Sequence, residues 1–269
     1  MANSSKAIGI ERLTELMERL RGPDGCPWDR EQKLESLTPF IIEEAYEVVD
    51  AIESGDAGSV KDELGDLLFQ IIFACRIMTE DGSFGLAEVI ENTVEKMIRR
   101  HPHVYGDTQA ETAAEVLKNW DEIKSRERTA ADGEARKSAL SGIPNSMPSL
   151  LRAAKISKRA AKTGFDWKDL EHVMEKLTEE LGEFREALHS GEAGDTEEEL
   201  GDILFTLVNV ARFAEVNPEM ALKKAIDKFT RRFNRVERSI EEEGGELGSA
   251  TAEELERLWN EAKLREKNP

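Results

Sequence analysis

Residues 43–69 and 179–205 carry one pattern at a constant offset of 136 residues. Glu43, Glu44 and Glu47 fall on Glu179, Glu180 and Glu183, and Glu63-Leu64-Gly65-Asp66 falls on Glu199-Leu200-Gly201-Asp202. Between them Ser54, Gly55, Ala57 and Gly58 fall on Ser190, Gly191, Ala193 and Gly194, and beyond them Leu68-Phe69 falls on Leu204-Phe205. A pattern that repeats without a gap commits the chain to building one helical hairpin twice. An offset of 137 pairs Trp28-Asp29 with Phe165-Asp166, and one of 132 pairs Lys96, Arg99 and Arg100 with Lys228, Arg231 and Arg232. The repeat therefore spans acids, an aromatic-Asp loop and a basic cluster, and duplication is its economical explanation.

The acids sit at helical spacing. Each residue of an α-helix turns ~100°, so positions i and i+3 lie within ~60° of one another. Glu180 with Glu183, and Glu199 with Asp202, each project from one face, and the turn at Ser190–Asp195 folds the two helices antiparallel. Four converging carboxylates repel unless a cation sits among them. Charged helix faces are ordinarily solvated. Against that reading, these acids abut the most apolar helices, recur in the second copy, and find no opposite charge four residues on (Ala187, Ile203 and Thr206 stand there). The candidate metal ligands are thus Glu180, Glu183, Glu199 and Asp202, with Glu44, Glu47, Glu63 and Asp66 as a second set.

Ligand hardness selects the ion. All-oxygen sites suit Mg²⁺, with Mn²⁺ as the alternative, whereas zinc and copper favour His or Cys. His101, His103, His172 and His189 do not supply the Glu-x-x-His pairs of a di-iron bundle. Magnesium on carboxylates commonly bridges to phosphate. Lys228, Arg231, Arg232 and Arg235 form a basic stripe on the following helix, read as a phosphate clamp rather than plain surface. A formal net charge of −19 argues against a general nucleic-acid or membrane-surface binder.

Helical apolar spacing is expected over 8–21, 37–54, 59–80, 86–100 and 110–128, then over 149–162, 169–189, 195–215, 218–242 and 251–266. On the helix over 37–54, Ile41, Ile42, Ala45, Val48, Val49 and Ile52 are expected to face inward, and the run Leu67–Cys75 is apolar almost all round, which marks its helix as central. No stretch alternates with period two, so the expected fold is all-α. The expected division is a first helical domain at 8–128, a linker at 129–148 and a second helical domain at 149–266. Cys26 and Cys75 are too few for a disulfide framework. Met1–Lys6 lacks an apolar signal core and no run approaches ~20 apolar residues, so a cytoplasmic location is expected.

With Glu-Glu-x-x-Glu followed by Glu-x-x-Asp in both halves, the chain resembles the MazG family, tandem nucleoside triphosphate pyrophosphohydrolases of the all-α NTP pyrophosphatase superfamily. Cys26–Gln32, Arg99–Tyr105, Gly142-Ile143-Pro144, Ala160–Trp167 and Lys228–Phe233 are also similar to that family, and together the motifs cover nearly the whole chain. The resemblance implies Mg²⁺-dependent hydrolysis of nucleoside triphosphates to monophosphate and pyrophosphate by a homodimer built on four-helix units. It places Glu180, Glu183, Glu199 and Asp202 at the family's metal positions and Lys228 and Arg232 at its phosphate contacts. Glu179, one residue off the ligand face, and Glu183 are candidates for positioning the attacking water, and the base is left open. Phe165 and Trp167 are candidates to stack on a base or, equally, to pack at a loop–helix junction.

The halves differ beyond the acids. Asn209 continues the face of Glu199 and Asp202, where the first half has Phe73. An Asn buried without a partner is costly, so Asn209 points to substrate in the second half unless backbone satisfies it. The second half is therefore expected to hold the principal site, and the first to bind metal weakly or to serve assembly. Other readings are a narrow dNTP or signalling-nucleotide pyrophosphatase, and a non-catalytic scaffold stabilised by Mg²⁺.

Overall fold

The computed structural model of the chain describes residues 9–131 and 138–267, which fall into two compact units, Met1–Gly133 and Glu134–Pro269. The part of the expected linker at 132–137, and the N-terminal stretch read for a signal, lie outside the described residues. All regular structure among the described residues is helical. The first unit holds α1 (Glu11–Arg21), α2 (Pro27–Glu31), α3 (Thr38–Ser54), α4 (Ala57–Glu80), α5 (Leu86–Arg100), α6 (Pro102–Tyr105) and α7 (Ala113–Ala131). The second holds α8 (Ser149–Ala161), α9 (Leu170–Ser190), α10 (Ala193–Phe213), α11 (Pro218–Glu242) and α12 (Ala252–Lys267).

The repeated hairpins are α3–α4 and α9–α10, and their turns use one device. Gly55 and Gly191 end α3 and α9 with φ of 75° and 76°, a left-handed conformation that a residue without Cβ adopts cheaply. The preceding serine closes each turn. Ser54 Oγ donates to Ala51 O and accepts from the Asp56 N–H, and Ser190 Oγ does the same with Ala187 O and the Glu192 N–H. Asp56 then caps α4 by accepting from the Gly58 and Ser59 amides. Antiparallel pairing follows, which brings the acids of each hairpin face to face.

Around the hairpins the units are built alike. In the first, α1 packs on α4, and Met17, Leu37, Ile72, Phe73 and Ile77 form its buried core. In the second, α8 packs on α10, α11 packs against both α8 and α12, and Val236, Ile240 and Leu258 are buried between α11 and α12. No helix among the described residues is long and apolar enough to cross a membrane.

Two expectations about packing are corrected. Trp28 and Asp29 sit in the short helix α2 rather than in open loop, because Pro27 at its first turn has its φ preset for a helix. The α3 face expected inward is only partly so. Val48 and Ala51 are buried, but Ile42 and Ile52 are 50% and 59% exposed. They continue an exposed apolar stripe with Leu64, Leu68 and Ile71 of α4, and Leu188, Leu200, Leu204 and Leu207 repeat it on α9–α10. The all-round apolar pattern of α4 thus records a helix with one side in the unit's core and one side uncovered.

Candidate active site

Each hairpin gathers three acids. Glu180 of α9 with Glu199 and Asp202 of α10 each offer a carboxylate oxygen, all within 4.8 Å of one another, and Glu44, Glu63 and Asp66 do the same in the first unit. Glu180 is buried, whereas Glu44 is only half-buried. Glu183 and Glu47 stand outside these triads but act on them. The Glu199 carboxyl is held above its ordinary pKa by burial first and then by Glu183, Glu180 and Asp202. Burial and Glu47 do the same to Glu63. A cluster of oxygen donors at this spacing has the chemistry of a hard-cation site.

The second triad has an internal counter-ion. Lys176 Nζ, one turn before the acids on α9, donates to Glu179 Oε1 at 2.6 Å and lies 3.0 Å from Glu180 Oε1. Both carboxylates hold the Lys176 ammonium protonated well above its usual range. Lys176 precedes Glu180 by four residues, so the absence of opposite charge four residues beyond the acids does not exclude it. At the matching position of the first hairpin stands Phe40, whose ring meets Trp28 edge-on at 5.8 Å. There the polar neighbour is Gln70, which donates a side-chain hydrogen bond to Glu44.

The basic stripe of α11 is organised by α12. Arg232 Nε donates to Glu266 Oε2 at 2.7 Å, Arg231 lies 3.8 Å from the same carboxylate, and the Arg232 guanidinium stands 5.9 Å from the Trp259 ring. Phe229 tilts against Trp259 at 5.1 Å. Lys228 is exposed. The first unit repeats the arrangement with Arg99 and Arg100 on Glu127 and Arg100 over Trp120. Trp259 and Glu266 were absent from the sequence-derived site. Their signal is an offset of 139, which lays Trp120, Glu122, Lys124, Arg126 and Glu127 on Trp259, Glu261, Lys263, Arg265 and Glu266.

The aromatic loop and Asn209 meet through one arginine. Phe165 is 79% exposed and Trp167 is partly buried. Between them Asp166 takes both terminal nitrogens of Arg212, one of them at 3.0 Å, and this pair holds its carboxyl below the usual range. Asn209 is fully buried and its amide is used inside the unit. Its Oδ1 accepts from Ser157 and lies 3.4 Å from Arg212 Nε and Nη2, while its Nδ2 donates to Phe205 O at 3.0 Å. The inference from an unpartnered Asn209 to a bound substrate is corrected accordingly: Ser157, Arg212 and backbone satisfy it. In the first unit Phe73 fills this place and Arg21 lies over its ring.

Comparison with known proteins agrees with the repeat. The family model of the MazG nucleotide pyrophosphohydrolase domain matches twice, at residues 32–105 and 168–241. A nucleoside triphosphate pyrophosphohydrolase of Escherichia coli (strain K12) is 43% identical over 96% of this chain and 98% of its own. A nucleoside triphosphate pyrophosphohydrolase/pyrophosphatase MazG of Thermotoga maritima is 44% identical over the same shares. A solved structure of a mazG-related protein from Thermotoga maritima is 30% identical, covers 43% of this chain and 98% of its own, and has a TM-score of 0.38.

Proposed function

The chain belongs to the MazG nucleotide pyrophosphohydrolase family, and from that premise we propose that its second acidic hairpin is the principal site at which nucleoside triphosphates are hydrolysed to monophosphate and pyrophosphate with Mg²⁺. The observation that carries this is the convergence of Glu180, Glu199 and Asp202 within 4.8 Å. The same triad recurs as Glu44, Glu63 and Asp66, so what ranks the second copy first is the ground around it. There an internal ammonium, Lys176, balances the buried Glu180, and Arg212 pairs with Asp166 beside the exposed Phe165. In the first unit Phe40, Phe73 and Arg21 occupy the corresponding ground with packing groups. We assign the first triad to weak metal binding or assembly, and take the working units as 8–128 and 149–266 with 129–148 joining them.

Glu180, Glu199 and Asp202 would hold Mg²⁺, or Mn²⁺ in its place, with Glu183 completing the set through its proximity to Glu199. Such an ion, when bound, neutralises phosphate charge and acidifies a bound water. Glu179 and Glu183 lie exposed at the edge of the triad, where a carboxylate can orient that water and take its proton. Lys228, Arg231 and Arg232 meet the charge of the phosphate chain, with Glu266 and Trp259 fixing the guanidinium of Arg232. Phe165 and Trp167 offer ring faces to the base, and Asn209 anchors their loop from within. The repeated exposed stripe of Leu200, Leu204 and Leu207 supports a homodimer, since apolar rows of this kind are ordinarily covered.

A product assay with a panel of NTPs and dNTPs plus Mg²⁺ tests this reading. Monophosphate and pyrophosphate in equal amounts are expected. Release of orthophosphate, or thermal stabilisation by Mg²⁺ without any turnover, contradicts it.

A further inference from the structure

Arg212 ties the aromatic loop to the buried interior of the second unit. Its guanidinium reaches outward to both carboxylate oxygens of Asp166 and inward to Oδ1 of Asn209, and it lies 4.5 Å from the Phe213 ring centroid. Asn209 is itself fixed by Ser157 of α8 and by the Phe205 carbonyl, and neither Asn209 nor Ser157 is open to solvent. Asp166 also accepts the Trp167 N–H at 2.9 Å, which sets the backbone of the loop. The result is a continuous chain of contacts, Ser157 to Asn209 to Arg212 to Asp166, that ends beside a solvent-facing Phe165. A planar, fully charged guanidinium suits this, because it can hold a carboxylate bidentately and keep a donor for the amide.

Holding a large aromatic ring in water by a half-buried ion pair adds nothing obvious to stability. A ring 79% exposed contributes little burial. Arg212 lies ten residues beyond Asp202 on α10, about 15 Å along the helix at 1.5 Å per residue. An extended nucleoside triphosphate covers a span of that order, with its phosphates at the acids and its base at the loop. In the first unit Arg76, at the position of Arg212, pairs instead with Glu80 and Glu18, and the Asp29 carbonyl is taken by Arg21.

We propose that Arg212 is a positioning residue for nucleotide binding, clamping Asp166 so that the Phe165–Asp166–Trp167 loop stands as an aromatic wall for the base. This rests on the reading of the second hairpin as the nucleotide site. Arg212 gives its donors to Asp166 and Asn209. Its effect passes through the loop, so it acts on the part of the ligand that carries a base and not on the triphosphate.

The test compares two ligands on the full-length protein with Mg²⁺: a non-hydrolysable nucleoside triphosphate analogue and inorganic tripolyphosphate. Arg212→Gln and Asp166→Asn are expected to weaken the analogue roughly tenfold, the order of one lost stacking platform, and to leave tripolyphosphate affinity unchanged. In turnover the same variants raise KM with kcat held within about twofold. Phe165→Ala, at an exposed position that folding does not need, is expected to reproduce the loss. Equal weakening of both ligands makes the network merely structural and overturns the proposal, as does an unchanged analogue affinity in all three variants. Wild-type protein that releases no pyrophosphate from any nucleotide instead overturns the functional reading on which it rests.

Discussion

The guanidinium carbon of Arg21 stands 5.3 Å from the centroid of the Phe73 ring, in the place where the second unit sets Ser157 against Asn209. One architecture thus carries a cation over an aromatic in one copy and a hydroxyl–amide pair in the other. Arg21 spends its remaining donors on Glu80 and on the carbonyls of Asp29 and Gln32, which closes the first unit around its own side chains. Phe73 is 1% exposed and belongs to the unit's core. Phe73→Ala should therefore cost about 3–5 kcal/mol of stability, as buried aromatic truncations do. Urea unfolding of the full chain reads it, and a shift no larger than that of a surface variant contradicts the assignment of Phe73 to packing.

Catalytic weight should be unequal between the triads. Glu180→Ala removes a buried ligand and is expected to lower kcat/KM for NTP hydrolysis by about 10²-fold or more, the scale seen when a preorganised charge partner is deleted. Glu44→Ala is expected to leave it within about threefold. Steady-state pyrophosphate release from both variants decides this, and equal losses sink the asymmetry.

The acid clusters should also make the metal-free protein respond to pH in the opposite sense to its ion pairs. Glu199 has its folded pKa raised, so above the ordinary carboxylate range the folded state holds more protons than the unfolded chain. Its contribution to stability falls as pH rises through that window. Glu80, Glu127 and Asp166 have lowered values, and the stability they bring is lost as pH falls. In EDTA at neutral pH Glu199→Gln should melt above wild type, with the gap closing near pH 4. Saturating Mg²⁺ should reverse the order, because only the wild-type carboxylate binds the ion well. Melting curves of the two proteins at both pH values, with and without Mg²⁺, test each sign.

Much of this was legible in the sequence, for a physical reason. Helical spacing and a gapless offset act locally, so the hairpins, their glycine-containing turns and the converging acids could be read from order alone. Lys176 was legible too, but only to a search running four residues toward the N-terminus as well as the C-terminus. The pairing of Arg212 with Asp166 spans 46 positions and depends on how α8 and α10 pack, which no periodicity records. The same holds for Arg232 with Glu266, although the Trp-x-Glu-x-Lys-x-Arg-Glu repeat would have pointed to it. Ile42 and Ile52 were placed inward because an apolar residue on an amphipathic helix marks a contact face without saying whose.

That open face yields its own prediction. Leu68 and Leu204 are equivalent by the repeat and 37% and 47% exposed. If a second copy covers these rows, Leu204→Glu and Leu68→Glu place charge against apolar surface and should convert dimer to monomer. Light scattering behind size exclusion measures the mass. A wild-type monomer, or variants that stay dimeric, removes the homodimer from the account.

Lys176 supplies the last prediction, because it is the protein's own cation at the proposed metal site. Its ammonium lies 3.0 Å from Glu180 and 2.6 Å from Glu179, so a divalent ion entering the triad meets a like charge already satisfied by two of the acids. Removing that charge strengthens the attraction of the remaining carboxylates for a metal. Lys176→Met is expected to tighten Mg²⁺ binding to the nucleotide-free protein several-fold and, in EDTA, to lower its melting temperature, since Glu180 then stays buried without a partner. The methionine keeps the length of the apolar stem, so packing on α9 is preserved. Titration calorimetry with Mg²⁺ and a melt in EDTA measure the two effects. Weaker Mg²⁺ binding in the variant would mean that Lys176 organises the ligands rather than competing for them, and would overturn its role as the stand-in ion.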